Sequence, residues 1–167
     1  MNAAITQPSV THYRQTVANF PSGVTVVTTH ADGEDIGLTV SAFASLSLEP
    51  PMVLVSIDQK SRSHGFLQSG SPIGISVLGA NHTDIAVRFA RHGHDRFADV
   101  DIFRRDSVPF INDATAWFLG EVTDRYQGGD HIILTVRVKD CDFQEGSAPL
   151  LYQNGRLHSY PTPGGGE

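Results

Sequence analysis

Apolar, β-branched runs recur along the chain with turn residues between them, which is the pattern of strands. Such runs cover residues 23–29, 36–48, 52–57, 73–78, 118–124 and 131–138, with a short piece at 150–152. Helical patterns are fewer. Residues 13–20 predict an entry helix that Pro21 ends, and residues 61–68 a short one closed by Gly70. The clearest lies at 81–92, where Asn81 supplies a cap, Asp84 follows three residues later, and Ile85 and Phe89 share a face. Six or seven strands with a few short helices predict a mainly β fold, a closed or nearly closed antiparallel barrel. Helices do not alternate regularly with strands, which disfavours a doubly wound parallel sheet.

A chain of 167 residues fits one domain with a core of its own, and 40% hydrophobic and 18% charged residues suit an ordinary globular protein. Residues 1–12 and 161–167 are expected to be flexible ends around a domain spanning 13–160. The start lacks a basic stretch followed by an apolar run, no segment approaches the ~20 apolar residues of a membrane span, and the single cysteine, Cys141, has no internal partner. A soluble cytoplasmic protein is therefore expected. The net charge of −6 argues against a nucleic-acid partner.

Several chemistries are excluded by motif. There is no phosphate loop of the Gly-x-x-x-x-Gly-Lys-Ser/Thr type, no Gly-x-Gly-x-x-Gly after a strand, no His-Glu-x-x-His, no Cys-x-x-Cys and no Gly-x-Ser-x-Gly.

The most informative stretch is Gly37-Leu-Thr-Val-Ser-Ala-Phe-Ala-Ser-Leu-Ser-Leu-Glu-Pro-Pro51. On one continuous strand Thr39, Ser41, Ser45 and Ser47 would share a face, and Ala42, Ala44, Leu46 and Leu48 the other, with Phe43 breaking the alternation. Small hydroxyls beside backbone donors suit a planar, polar-edged ligand with a polyol arm; a strand with one wet and one core face is the plainer alternative. Next, Ser56-Ile-Asp-Gln-Lys-Ser-Arg-Ser-His64 runs from a strand end into a helix start. Its Lys60, Arg62, Ser61 and Ser63 make either a phosphate cradle or a solvated, capped connection. Gly128-Gly-Asp-His131 marks a turn that holds His131 at the mouth of a strand, as a ligand contact or simply as a turn residue. His92-Gly-His-Asp95 offers two metal ligands at most, with no third at a diagnostic spacing and with Arg91 and Arg96 beside it, so no metal site is expected. Arg88, on the helix, faces either an anionic ligand or solvent.

Taken together these segments resemble the flavin reductase family with the FMN-binding split-barrel fold, over about residues 13–160. The resemblance is carried by Phe20-Pro-Ser-Gly-Val-Thr-Val-Val-Thr28, the 37–55 segment, Lys60-Ser-Arg-Ser-His64, Gly129-Asp-His131 and Pro149-Leu-Leu-Tyr-Gln-Asn-Gly-Arg156. It implies an antiparallel split β-barrel and a homodimer with one flavin, FMN or FAD, near the subunit interface of each copy. It also implies NADH or NADPH as electron donor and a partner monooxygenase supplied with reduced flavin. Thr39, Val40, Ser41 and Ala42 would line the isoalloxazine edge, and Ser45 and Ser47 the ribityl or phosphate region. Ser56, Lys60, Ser61 and Ser63 would meet the phosphate, with Arg88 and Ala90 added from the helix. His131 would be the catalytic position, placing the nicotinamide with Tyr152, Arg156 and His158 as neighbours. No arginine pair marks a 2′-phosphate site, which favours NADH. Two rivals remain: a pyridoxamine-phosphate-oxidase-like flavoenzyme acting directly on a substrate, and a non-catalytic flavin- or haem-binding barrel.

Overall fold

A computed structural model describes residues 6–91 and 95–160. Helix α1 (Val10–Val17), capped by Ser9, opens the chain three residues before the boundary expected from sequence. Strands β1 (Ser22–Gly23), β2 (Thr25–Ala31), β3 (Glu34–Val40), β4 (Phe43–Leu48) and β5 (Pro51–Asp58) follow, and after a single 3-10 turn comes β6 (Pro72–Val77). Helix α2 (Thr83–Ala90) precedes a hairpin of β7 (Ile102–Arg105) and β8 (Val108–Ile111). The long pair β9 (Ala116–Gly128) and β10 (His131–Phe143) and the short pair β11 (Leu150–Gln153) and β12 (Arg156–Ser159) complete the chain.

Seven strands form one antiparallel sheet in the order β3-β2-β6-β9-β10-β5-β4. Its two edge strands, β3 and β4, are consecutive in the chain, joined by Ser41 and Ala42 alone. So short a link spans only about 10 Å between the strand ends, so the sheet must curl until its edges meet there. The amide of Ser56 on β5 donates to the Ala42 carbonyl at 2.9 Å, which continues the β4–β5 ladder into the link and anchors its β4 side. This antiparallel barrel, drawn together at one point and parted elsewhere, agrees with the expected split-barrel architecture.

The curl sorts side chains into an inside and an outside. Along β2, Val27 enters the barrel core with Val40, Val55, Ile75, Leu134 and Val136, while Val26 faces a second core with Phe89, Leu78 and Leu150. The expected pairing of Ile85 and Phe89 on one helix face appears in that second core. A third cluster, Val108, Phe110 and Leu119, packs the β7–β8 hairpin onto the outer face of the sheet. Gly74 makes this approach possible, since a Cβ there would lie 2.8 Å from Val108 Cγ1.

Three expectations need correction. The predicted strand over 36–48 is two strands, and a bulge between Ser45 and Ser47 shifts the second. Ala42, Ala44, Leu46 and Leu48 therefore lie exposed, not in the core, while Phe43 turns inward beside Phe118. The predicted helix over 61–68 is a single 3-10 turn, Arg62–Gly65, because Ser61 accepts from Ser63 and the chain then turns into β6. Helix α2 begins at Thr83, not near Asn81, with a 3-10 turn at Ala80–His82 before it and His82 at its cap.

Candidate active site at the barrel seam

Where the sheet edges meet, a cavity of about 270 Å³ opens. Thr39, Val40, Ser41 and Ala42 form one wall as β3 gives way to the link. Ser56 lines it from β5, Ser61 from the following turn, Ala90 and Phe89 from α2, and His131 from the start of β10. Eight of the residues expected from sequence thus converge on one hollow, drawn from positions 39 to 131.

The polar groups there divide into committed and free ones. Thr39 Oγ1 donates to the Ala86 carbonyl at 2.7 Å, so this hydroxyl proton ties β3 to α2. The amides of Ser41 and Ala42 have no hydrogen-bond acceptor among the described residues. They are the donors that the carbonyl and ring-nitrogen edge of a flavin requires, so the cavity wall fits that group. Ser61 Oγ accepts from the Ser63 amide at 3.3 Å, leaving its own proton to donate elsewhere.

His131 stands at the tip of the β9–β10 turn, where Gly129 takes the left-handed conformation with φ +68°. Its Nδ1 lies 2.7 Å from Asp130 Oδ1. The same contact is the chief cause holding the Asp130 carboxyl below its ordinary pKa, with the Lys60 charge a small addition. An ionised carboxylate only accepts, so Nδ1 carries the proton and Nε2 is left for a ligand. Gln59 braces the turn: its amide donates to the Asp130 carbonyl at 3.1 Å and Nε2 to the Gly129 carbonyl at 3.2 Å. From β9, Arg125 donates to the carbonyls of His64 and Leu67 at 3.0 and 2.7 Å, which fixes the 61–67 segment.

Beside the cavity lies a larger basin of about 1040 Å³ that carries Lys60 and Ser63. Ser61 and Arg96 belong to both. In sequence Arg96 stands out only as a neighbour of the histidine pair. In the structure its Nε donates to the Arg91 carbonyl at 2.9 Å and its Nη1 to the Gly37 carbonyl, so the guanidinium is locked against the seam. Burial lowers its pKa from the ordinary value. An arginine just past a helix carries no local signal of such a role, and only the fold brings it to β3.

Other expected residues lie elsewhere. Arg88 lines a separate hollow on the outer side of α2 and donates to the Ala98 carbonyl. Ser45 and Ser47, on β4, line none of these three hollows. Nor do Tyr152, Arg156 and His158, which belong to the three-stranded sheet β1-β11-β12. His92 and His94 lie outside the described residues. Among the described residues no cluster of three His, Cys, Asp or Glu side chains is placed to hold a metal, and no helix is long and apolar enough to cross a membrane.

Known proteins resemble this chain in sequence and in fold. The chain is 38% identical over 145 residues, 87% of its length and 78% of the relative's, to the reductase component of a 4-nitrophenol 4-monooxygenase/4-nitrocatechol 2-monooxygenase from Rhodococcus opacus. It is 35% identical over 156 residues, 92% of its length and 91% of the relative's, to the NADH-dependent flavin reductase StyB of Pseudomonas fluorescens. Among solved structures, the NADH:FAD oxidoreductase SgcE6 of Streptomyces globisporus C-1027, in complex with NAD and FAD fragments, superimposes with a TM-score of 0.89 at 30% identity. That likeness covers 98% of this chain and all of the other. The family model described as flavin reductase like domain matches residues 17–161, and this chain belongs to that family.

Proposed function

We propose that this protein is an NADH-dependent flavin reductase that reduces FMN or FAD and supplies the reduced flavin to a partner monooxygenase. The observation that carries this is the seam cavity, where the free amides of Ser41 and Ala42 face a site that also takes in Ser56, Ser61 and His131.

The protein's share of the work is placement. Residues 39–42 hold the ring edge, Ser61 donates toward the phosphate end, and Phe89 and Ile57 give the cavity an apolar back that limits water. His131, oriented by Asp130, presents Nε2 at the mouth and positions the nicotinamide. The redox chemistry, hydride acceptance from NADH, would be supplied by the bound flavin and by no side chain. No buried acid or base is needed within the cavity. Arg88, Ser45 and Ser47 act at most from its periphery, and the assignment of Tyr152, Arg156 and His158 to the nicotinamide rests on the resemblance alone.

The working unit is a homodimer in the cytoplasm. What supports the dimer is an uncovered apolar surface. Edge strand β4 leaves Leu48 94% and Leu46 46% exposed, and α1 buries none of its residues while exposing Val10, Tyr13 and Val17.

The test is steady-state oxidation of NADH with a large excess of free flavin over protein. Many turnovers per subunit, saturating in flavin, identify a reductase that releases its product. Oxidation that stops after one equivalent of flavin points to a flavoenzyme acting directly on another substrate, and none at all to a binding barrel.

A further inference from the structure

We infer that the protein takes FAD in preference to FMN, with the adenylate half seated in the large basin beside the seam cavity. This rests on the flavin site proposed above and specifies which flavin that site admits.

The first observation is the division of space. The seam cavity, at about 270 Å³, is at the lower limit of ligand pockets, and the basin beside it holds about 1040 Å³. The two share Ser61 and Arg96 as a common wall, so a ligand leaving the small hollow past these residues enters the large one. FMN ends at a single phosphate and would stop near that wall. FAD continues through a second phosphate to adenosine and would use the space beyond.

Charge follows the same path. Arg96 lines the seam cavity, whereas Lys60 and Arg62 join it only on the basin side. A second phosphate would meet these added cations, and a guanidinium pairs well with phosphoryl oxygens. The basin also carries Glu34, Asp35 and Asp95. Of these, Asp35 is already matched by Arg104, at 2.5 Å, and Asp95 accepts from the Phe97 amide at 3.1 Å. With Asp35 paired to Arg104, the three cations of the basin, Lys60, Arg62 and Arg96, outnumber its two remaining carboxylates, Glu34 and Asp95.

An adenine needs an apolar face, and the basin offers one. Phe66 lies on its wall, 37% exposed, with no aromatic partner among the described residues. Phe97, by contrast, is held edge-on against Phe89 at 5.0 Å. A phenyl left open beside cations is a stacking platform for a purine.

An adenosine diphosphate unit occurs in NADH as well as in FAD, so binding is measured by calorimetry on flavin-stripped protein without nicotinamide. FAD is expected to bind at least about tenfold more tightly than FMN. Phe66→Ala, at an exposed position, should remove most of that advantage while leaving FMN affinity unchanged, and Arg62→Ala should weaken FAD more than FMN. Equal affinity for the two flavins overturns this inference alone, and the same variants then weakening only NADH binding would assign the basin to the nicotinamide nucleotide. Failure to bind either flavin overturns the proposed function along with it.

Discussion

Asp130 and His131 are neighbours in sequence whose side chains bond to each other, with Nδ1 2.7 Å from Oδ1 across the tip of the β9–β10 turn. The contact fixes which ring nitrogen faces outward, and it does so at the mouth of the cavity. His131→Ala is expected to raise KM for NADH about tenfold or more while leaving flavin affinity within about twofold. Asp130→Asn should give a smaller effect in the same direction, since it loosens the ring without removing it. Equal loss of flavin and NADH binding would contradict this role.

Thr39 lines the cavity, yet its hydroxyl proton is spent on the Ala86 carbonyl. Thr39→Val should therefore cost about 0.5–1.5 kcal/mol of stability in urea unfolding, with flavin affinity nearly unchanged. A tenfold loss of flavin affinity with no loss of stability would show that the hydroxyl serves the ligand instead.

The fold was legible where an apolar, β-branched run is bounded by turn residues, as in residues 52–57 and 73–78. It was not legible at Ser41 and Ala42, because nothing local says that an alternating run will break and draw two sheet edges together. The β7–β8 hairpin was also missed. Its strands are four residues each, Pro109 weakens the second, and its stability comes from packing Phe103 and Phe110 on Trp117 across the chain. The candidate site was legible from residue types only at Thr39, Ser41, the 60–63 segment and His131, while Val40, Ala42, Ser56 and Ala90 came with the family resemblance. Arg96 was legible in neither way, since its role follows from a contact with Gly37 nearly sixty residues away.

His82 is buried and its Nδ1 accepts from the Gly79 amide at 3.2 Å, so the ring is held unprotonated there. Burial pulls its pKa below the ordinary 6.5, with the Asp113 charge and the Asn112 backbone opposing. Below pH 6.5 the unfolded chain binds a proton that the folded chain refuses. Stability from this group is complete above that pH and declines as pH falls toward the lowered folded value. The melting temperature should thus drop on acidification from neutrality toward pH ~5, and His82→Gln should flatten that slope. An unchanged slope in the variant would contradict it.

Leu48 is the most exposed large apolar residue of β4, a strand with a free edge. Light scattering should find the native protein dimeric and Leu48→Glu shifted toward monomer, because a charge buried in an apolar interface is strongly unfavourable. A native monomer, or a variant as dimeric as the native chain, would count against this surface.

The most direct test of the seam site is anaerobic mixing of flavin-loaded protein with NADH in a stopped-flow cell, following flavin absorbance. Bleaching of the bound flavin at a rate that saturates with NADH, and that needs much more NADH in His131→Ala, is the predicted result. Flavin that binds but keeps its colour in the presence of excess NADH would contradict it.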